Sequence, residues 1–162
     1  MCASGAHRSG PGAGPAARRV ALLARIAGVL FGAAGAAAWA AVSKQLDDER
    51  ITVPGNAPIL AGRRVRGPVS AYVQALVIKG NAERGAGGRS FADISAALAE
   101  VEKGSDEERA LRSQSAALAT AASLRTSLLT SVLAFGVSAL VAGIGALLVA
   151  AGTLLRGPGR RG

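Results

Sequence analysis

The longest uninterrupted apolar stretch lies near the end of the chain. After Arg125 no charged residue occurs until Arg156, which leaves thirty uncharged residues in a row. As a helix rising about 1.5 Å per residue, this stretch extends about 45 Å, more than the roughly 30 Å hydrocarbon core of a bilayer. In water such a helix would expose apolar side chains on every face. The pattern predicts a membrane span near 128–149, at the end of one continuous helix over 106–155.

A second apolar stretch, 20–42, is shorter and rich in Ala and Gly. Seventeen uncharged residues follow Arg25 in this stretch, and the Arg25 side chain can extend to the lipid headgroups. Trp39 lies near the far end, where aromatic residues concentrate at membrane interfaces. We predict a first transmembrane helix with a short extension over 18–46.

The alternative for this stretch is a cleaved secretory signal. Arg18 and Arg19 would form its basic region, and the small residues around Trp39 would provide the cleavage site. The apolar run is longer than that of most signals, and helix packing explains the same small residues.

The segment between the two apolar stretches, 47–105, alternates turn residues with short helical patterns. A Gly-Pro pair opens a helix near 68–80, because Pro is tolerated at the first helical position. Ser90 and Asp93 have the spacing of a capping box, which predicts a helix near 91–103. The first helix carries apolar residues at helical spacing, a candidate contact face made of Tyr72, Val73, Leu76 and Val77. The segment is poor in large apolar residues, so we expect it to dock on the long helix, the membrane surface or a partner.

Charge divides the chain into three parts. The formal net charge is +9, yet all ten acidic residues lie between Asp47 and Glu108. The parts before residue 43 and after residue 125 hold seven Arg and no acid. Basic ends beside apolar stretches suit an anionic membrane surface, whereas the scattered aromatic residues argue against nucleic-acid binding. By the positive-inside rule, both termini are expected in the cytoplasm and the middle segment outside.

These patterns together predict an all-α membrane protein, a two-helix transmembrane hairpin with a small, mostly helical extracytoplasmic segment. The expected location is the bacterial cytoplasmic membrane, with the lipid bilayer as the first partner. Residues 1–17 are of low complexity and are expected to form a disordered basic tail. Residues 156–162 are expected to form a basic cytoplasmic tail.

Small residues recur at every fourth position in both apolar stretches. This spacing lets helix backbones approach closely in lipid, although a chain this rich in Ala and Gly also produces such rows by chance. We expect the two rows to pack against each other; packing between copies in a homo-oligomer is the alternative. The predicted packing residues are Gly28, Gly32, Ala36, Ser138, Ala142 and Ala146.

Few side chains are suited to catalysis or metal binding. Cys2 is the only cysteine and His7 the only histidine, and both belong to the N-terminal tail. One cysteine can form neither an intramolecular disulfide nor a cysteine-based metal site. Neither hydrocarbon-spanning stretch, 26–42 or 128–149, contains Asp, Glu, His or Lys, which ion-coupled transporters place within the membrane. We therefore expect no catalytic residue, no cofactor and no metal, and not a self-contained transporter.

Between residues 39 and 156 the chain resembles a family of small two-span membrane proteins from actinobacteria. The most specific segments are DERITV (48–53), AGRRVRGPVSAYVQA (61–75) and the start of the second span. The resemblance implies the two-span architecture, and the family has no established activity. Its members often carry the label of an aromatic ring-opening dioxygenase, whose iron is commonly held by two His and a carboxylate. A chain with one His cannot supply that ligand set.

The leading functional hypothesis is a non-catalytic integral membrane protein. Its outer segment would contact a membrane or envelope protein, the envelope itself or lipid headgroups. The alternative is an oligomeric pore or an accessory subunit of a transport complex, packed through the four-residue rows. An enzyme ranks third, because no nucleophile–base pair or ligand cluster can be assembled from these residues.

Overall fold

The computed structural model describes residues 14–155, and these residues form four helices. The helices are α1 (Pro15–Asp48), α2 (Pro68–Gly85), α3 (Phe91–Glu100) and α4 (Asp106–Leu154). Over the described residues, the extended structure is limited to one antiparallel bridge between Thr52 and Arg64. The described chain is therefore all-helical, as the sequence predicted. The C-terminal tail, and the N-terminal tail as far as residue 13, lie outside the described residues.

Two of the helices are long and apolar enough to cross a membrane. α1 has 34 residues and α4 has 49, which correspond to about 51 and 74 Å at the helical rise per residue. Only 17% of the most apolar part of each helix is buried, whereas the core helix of a water-soluble domain is mostly buried. The exposed large side chains include Leu23, Val29 and Leu30 on α1, and Leu133, Leu140 and Leu147 on α4.

The ends of α1 extend beyond the range expected from the sequence. The helix begins at Pro15, three residues before the predicted start, because proline is well accommodated in the first helical turn. It ends at Asp48, and Arg50 adopts a φ of 53°. This left-handed conformation turns the chain away from the helix axis.

α2 is five residues longer than predicted and α3 is three residues shorter. α2 continues through Gly80 and Asn81 to Gly85, and an ion pair of 3.5 Å between Lys79 and Glu83 spans this region. Such a pair partly offsets the roughly 1 kcal/mol that an interior glycine costs a helix. α3 ends at Glu100 because Val101 is extended, with φ −77° and ψ 147°.

The predicted capping residues start the two helices that follow. The Ser90 hydroxyl accepts a hydrogen bond of 3.2 Å from the Asp93 N–H, and the Asp93 carboxylate accepts one of 2.8 Å from the Ser90 N–H. The hydrogen bond from the Ser90 backbone lowers the pKa of Asp93. At the start of α4, Ser105 accepts a hydrogen bond of 3.0 Å from the Glu108 N–H. The capping box predicted at Ser90 is confirmed.

The helices contribute to two compact units. Among the described residues, the first unit combines 14–37 with 138–155, and the second unit is Ala38–Val137. The second unit has a side-chain core drawn from α1, the following loop, α2 and α4. Its buried residues are Leu46, Val53, Val65, Ala71, Val73, Ala75, Val77, Leu128 and Phe135. A smaller cluster of Ala86, Ile94 and Leu111 holds α3 against α4 and the end of α2.

Candidate functional site

In the first unit, α1 and α4 touch through the backbones of glycine residues. A Cβ atom added to Gly28 would lie 2.6 Å from the carbonyl oxygen of Gly145. A Cβ atom added to Gly35 would lie 2.7 Å from the carbonyl oxygen of Ser138 and 2.7 Å from the nitrogen of Ala142. All three distances are too short for a real Cβ atom, so both positions require glycine. The pairing of residue 28 with 145 and of 35 with 138 shows that the two helices run antiparallel.

The contact repeats every seven residues along each helix. We call this contact the glycine seam; its buried residues are Ala21, Gly28 and Gly35 on α1 and Ser138, Gly145 and Gly152 on α4. Seven residues almost complete two helical turns, so the same face keeps meeting the partner, as in left-handed coiled coils. Four residues instead advance about 40° beyond one turn, so a four-residue row leaves the contact.

Of the six predicted packing residues, four lie at the contact between α1 and α4 and two do not. Gly28 and Ser138 are buried in the glycine seam. Ala142 contacts Gly35, and the nitrogen of Gly32 would lie 2.5 Å from a Cβ atom at Gly145. The remaining two residues of the predicted rows, Ala36 and Ala146, are exposed.

In the second unit, the chain between α1 and α2 forms a short hairpin over residues 51–65. The Val53 N–H donates a hydrogen bond of 2.9 Å to the carbonyl oxygen of Arg63, and the Val65 N–H donates one of 3.0 Å to that of Ile51. The side chains of Val53 and Val65 are buried in the core of the unit. The hairpin is therefore a fixed part of the fold. It pairs residues 51–53 with residues 62–65.

Asp47 connects the end of α1 to this hairpin. Its carboxylate accepts hydrogen bonds from the Arg66 Nε atom at 2.8 Å and from the Arg64 Nη1 atom at 3.2 Å. The hydrogen bond from Arg66, followed by that from Arg64, lowers the pKa of Asp47. The Ser70 hydroxyl, which accepts a hydrogen bond of 3.1 Å from the Arg66 N–H, fixes the entry into α2.

The candidate contact face on α2 is divided by the structure. Val73 and Val77 are buried in the core of the second unit, at 5% and 7% exposure, so they are not available to a partner. Tyr72 and Leu76 are exposed, and Val69 lies exposed on the same side. We call Val69, Tyr72 and Leu76 the α2 stripe. Apolar residues cover most of the circumference of α2, so their spacing alone does not show which of them are buried.

A groove of about 770 Å³ lies between the end of α1, α2 and α4 in the second unit. The residues that line it are Gln45, Leu46, Asp48, Glu49, Ile51, Gln74, Ile78, Leu124, Ser127, Leu128 and Ser131. Gln74 is only 7% exposed. Over residues 14–155, its Oε1 atom is buried without a hydrogen-bond partner. This groove was not predicted from the sequence. The one feature of the sequence that points to it is Gln74, a polar residue among the apolar residues of α2.

In the described part of the chain, no group of three or more His, Cys, Asp or Glu side chains could hold a metal ion. Cys2 and His7 lie outside that part. Comparison of the chain with family models, with curated proteins and with solved structures finds no match. The candidate sites are therefore defined by geometry alone. They are the glycine seam in the first unit and, in the second unit, the α2 stripe and the groove beside Gln74.

Proposed function

We propose that the protein is a non-catalytic integral membrane protein of the bacterial cytoplasmic membrane, crossing it twice with both termini in the cytoplasm. The observation that carries this proposal is the surface of α1 and α4. The two helices contact each other through a narrow seam of small residues, while large apolar side chains on their other faces are exposed. Lipid matches such a surface, whereas water does not.

The orientation rests on charge. Arg18 and Arg19 are exposed at the beginning of α1, and Arg156 comes two residues after the last residue of α4 in the sequence. Short basic flanks of this kind stay on the cytoplasmic side. All ten acidic residues then belong to the outer side, together with the hairpin, α2 and α3.

The proposed role of the second unit is to present a fixed apolar surface outside the membrane. Its core and the Asp47 ion pairs hold α2 in place, and the α2 stripe is left exposed. Three adjacent apolar side chains on one helical face form a common recognition element for a groove on a partner protein. We therefore propose that a membrane or envelope protein binds the α2 stripe.

The topology can be tested with the single cysteine of the chain. A membrane-impermeant maleimide added to intact cells should leave Cys2 unlabelled until the cells are permeabilised. In a Cys2→Ala background, Asn56→Cys in the hairpin should be labelled in intact cells. The reverse labelling pattern would overturn the proposed orientation, and recovery of the protein in the soluble fraction would overturn the membrane location.

The contact through the α2 stripe is tested by one polar substitution and its matched control. We expect the wild type to migrate far above its monomer mass on blue-native gels and Leu76→Asn to lose that migration. Ile59→Asn makes the same change at an apolar residue that is 54% exposed on the hairpin, and should migrate like the wild type. Unchanged migration of Leu76→Asn would contradict a partner at the stripe.

The second candidate function is an oligomeric pore or an accessory subunit of a transport complex. The exposure of Ala36 and Ala146 favours it, because small residues that the glycine seam does not use remain free to pack against other helices in lipid. Reconstitution into liposomes separates the two functions. A pore would give a conductance that Ala36→Leu reduces, and liposomes without conductance would exclude a pore.

A further inference from the structure

The groove in the second unit combines apolar walls with an unsatisfied buried acceptor. Leu46, Ile78, Leu124 and Leu128 supply apolar lining. The Gln74 Oε1 atom is buried without a partner, and an unpaired buried carbonyl oxygen costs free energy comparable to a lost hydrogen bond. The terminal torsion of a glutamine side chain is soft, so the amide can turn its oxygen toward a donor in the groove. The groove therefore fits a ligand that donates a hydrogen bond.

The charges around the groove favour a cationic donor. Of the described residues that line it, two carry carboxylates and none is Lys or Arg. The Asp48 carboxylate is paired with Lys44 at 2.6 Å. Glu49 takes part in none of the ion pairs formed among the described residues, and its carboxylate is exposed. A group with positively charged N–H donors would complement Glu49 and satisfy Gln74 together.

The position of the groove along α4 indicates the origin of that group. Its lining residues on α4 lie where the uncharged stretch begins: Leu124 directly precedes Arg125, and Ser127, Leu128 and Ser131 follow it. Under the proposed membrane function this depth is that of the lipid headgroups. The Ser127 and Ser131 hydroxyls donate to carbonyl oxygens of α4 at 3.1 and 3.2 Å, which leaves their oxygen lone pairs able to accept further hydrogen bonds.

We propose that this groove binds the primary ammonium headgroup of a membrane lipid. Gln74 and Glu49 accept hydrogen bonds from the ammonium, and the apolar walls contact the beginning of the acyl chains. The inference rests on the proposed membrane function, but not on which side of the membrane the second unit faces.

The test compares two lipids that differ at the nitrogen. Phosphatidylethanolamine has three N–H donors, whereas phosphatidylcholine has the same phosphate and a fully methylated nitrogen that donates none. The full-length protein is placed in nanodiscs of phosphatidylcholine alone or of an equimolar mixture of the two. We expect the methyl NMR signals of Ile78 and Leu128 and the side-chain amide signal of Gln74 to shift only in the mixture. A charge-assisted hydrogen bond at this site should make the preference about ten- to a hundredfold.

Two variants with matched controls assign the effect to the groove. Gln74→Leu keeps a similar side-chain volume and removes the unpaired acceptor, so it should remain folded and lose the preference. Gln114→Leu, at a residue that instead accepts a hydrogen bond from Arg89, should keep it. Glu49→Gln should reduce the preference, and Glu107→Gln, at an exposed residue of α4 outside the groove, should not.

The outcomes separate this inference from the proposed function. A protein that does not enter nanodiscs overturns both. Entry with equal signals in the two lipid compositions, or with a Gln74→Leu variant that keeps the preference, overturns only the lipid site. A response to soluble glycerophosphoethanolamine without any response to phosphatidylethanolamine would identify a site for small amines and also overturn the lipid assignment.

Discussion

The contacts within the first unit and the contacts within the second unit are of opposite kinds. In the first unit, α1 and α4 approach closely because glycine has no side chain. The two backbones meet at Gly28, Gly35 and Gly145. In the second unit, the contact between segments depends on side chains that fill space, with Val53 and Val65 at 1% and 0% exposure. The hydroxyls of Ser70, Ser90 and Ser105 also accept hydrogen bonds from backbone N–H groups, which fixes the first turns of its helices.

This difference matches the two solvents that we propose. In lipid, helices gain little from burying apolar surface, so they associate through close packing of small residues. In water or near the headgroups, burial of large side chains stabilises a fold, and polar groups at helix ends need partners. The first unit should therefore tolerate no added volume in its seam, and the second should tolerate no lost volume in its core.

The largest effect is expected from Phe135→Ala. Phe135 is buried in the second unit, where its ring meets Trp39 edge to face with 4.7 Å between ring centroids. Its truncation leaves a cavity and should cost about 3–5 kcal/mol of unfolding free energy, measured by reversible denaturation in mixed micelles. Leu133→Ala, on the same helix at a side chain that is 71% exposed, should change it by less than about 1 kcal/mol. Equal costs would mean that Phe135 is not a core residue.

The next effect concerns the glycine seam. A Cβ atom at Gly145 would lie 2.5 Å from the backbone nitrogen of Gly32, so Gly145→Ala should force the helices apart and cost about 1–3 kcal/mol. Gly143 lies two residues away, with no described atom within 4 Å of an added Cβ. Gly143→Ala should therefore leave the stability unchanged or raise it slightly. If the same denaturation assay ranked the two variants equally, the seam would not be a close backbone contact.

The sequence predicts those features that depend on local chemistry. The uncharged stretch before Arg156 predicts α4, and Ser90 with Asp93 predicts the start of α3, because each signal lies within one element. The seven-residue seam was missed because composition supplies small residues at every spacing, and the partner helix determines which of them are buried. The pairing of Thr52 with Arg64 and the isolation of the Gln74 oxygen depend on contacts between distant segments. No local pattern encodes either one.

A smaller effect is expected at the capping box of α3. Ser90→Ala removes the hydroxyl that accepts from the Asp93 N–H, so that one N–H of the first turn loses its partner. The variant should lose about 1 kcal/mol of stability, detected as lower hydrogen-exchange protection in α3. Ser95→Ala lies in the same helix, where the hydroxyl donates only to the Phe91 carbonyl oxygen. It should leave protection unchanged, and a loss as large as that of Ser90→Ala would refute the capping role.

The smallest effect is expected at Asp47, whose ion pairs are partly exposed to solvent and therefore screened. Arg66 and Arg64 lower the pKa of Asp47 below the ordinary value of 3.8. A carboxylate with a lowered pKa stabilises the fold above its ordinary pKa, and this contribution is lost as pH falls through the lowered value. Acidification below about pH 4 should therefore reduce hydrogen-exchange protection of the Val53 and Val65 amides.

Substitution separates this effect from general acid unfolding. Asp47→Asn cannot carry the charge, so it should show lower hairpin protection at neutral pH and no further loss attributable to residue 47 in acid. Asp48→Asn removes a neighbouring carboxylate whose ion pair is with Lys44 on its own helix, and hairpin protection in this variant should follow the wild-type pH profile. If Asp48→Asn flattened the pH profile while Asp47→Asn did not, then Asp48, and not Asp47, would be the carboxylate that holds α1 to the hairpin. If neither variant changed the profile, the second unit would depend on its apolar core alone, without the electrostatic contact that distinguishes it from the glycine seam.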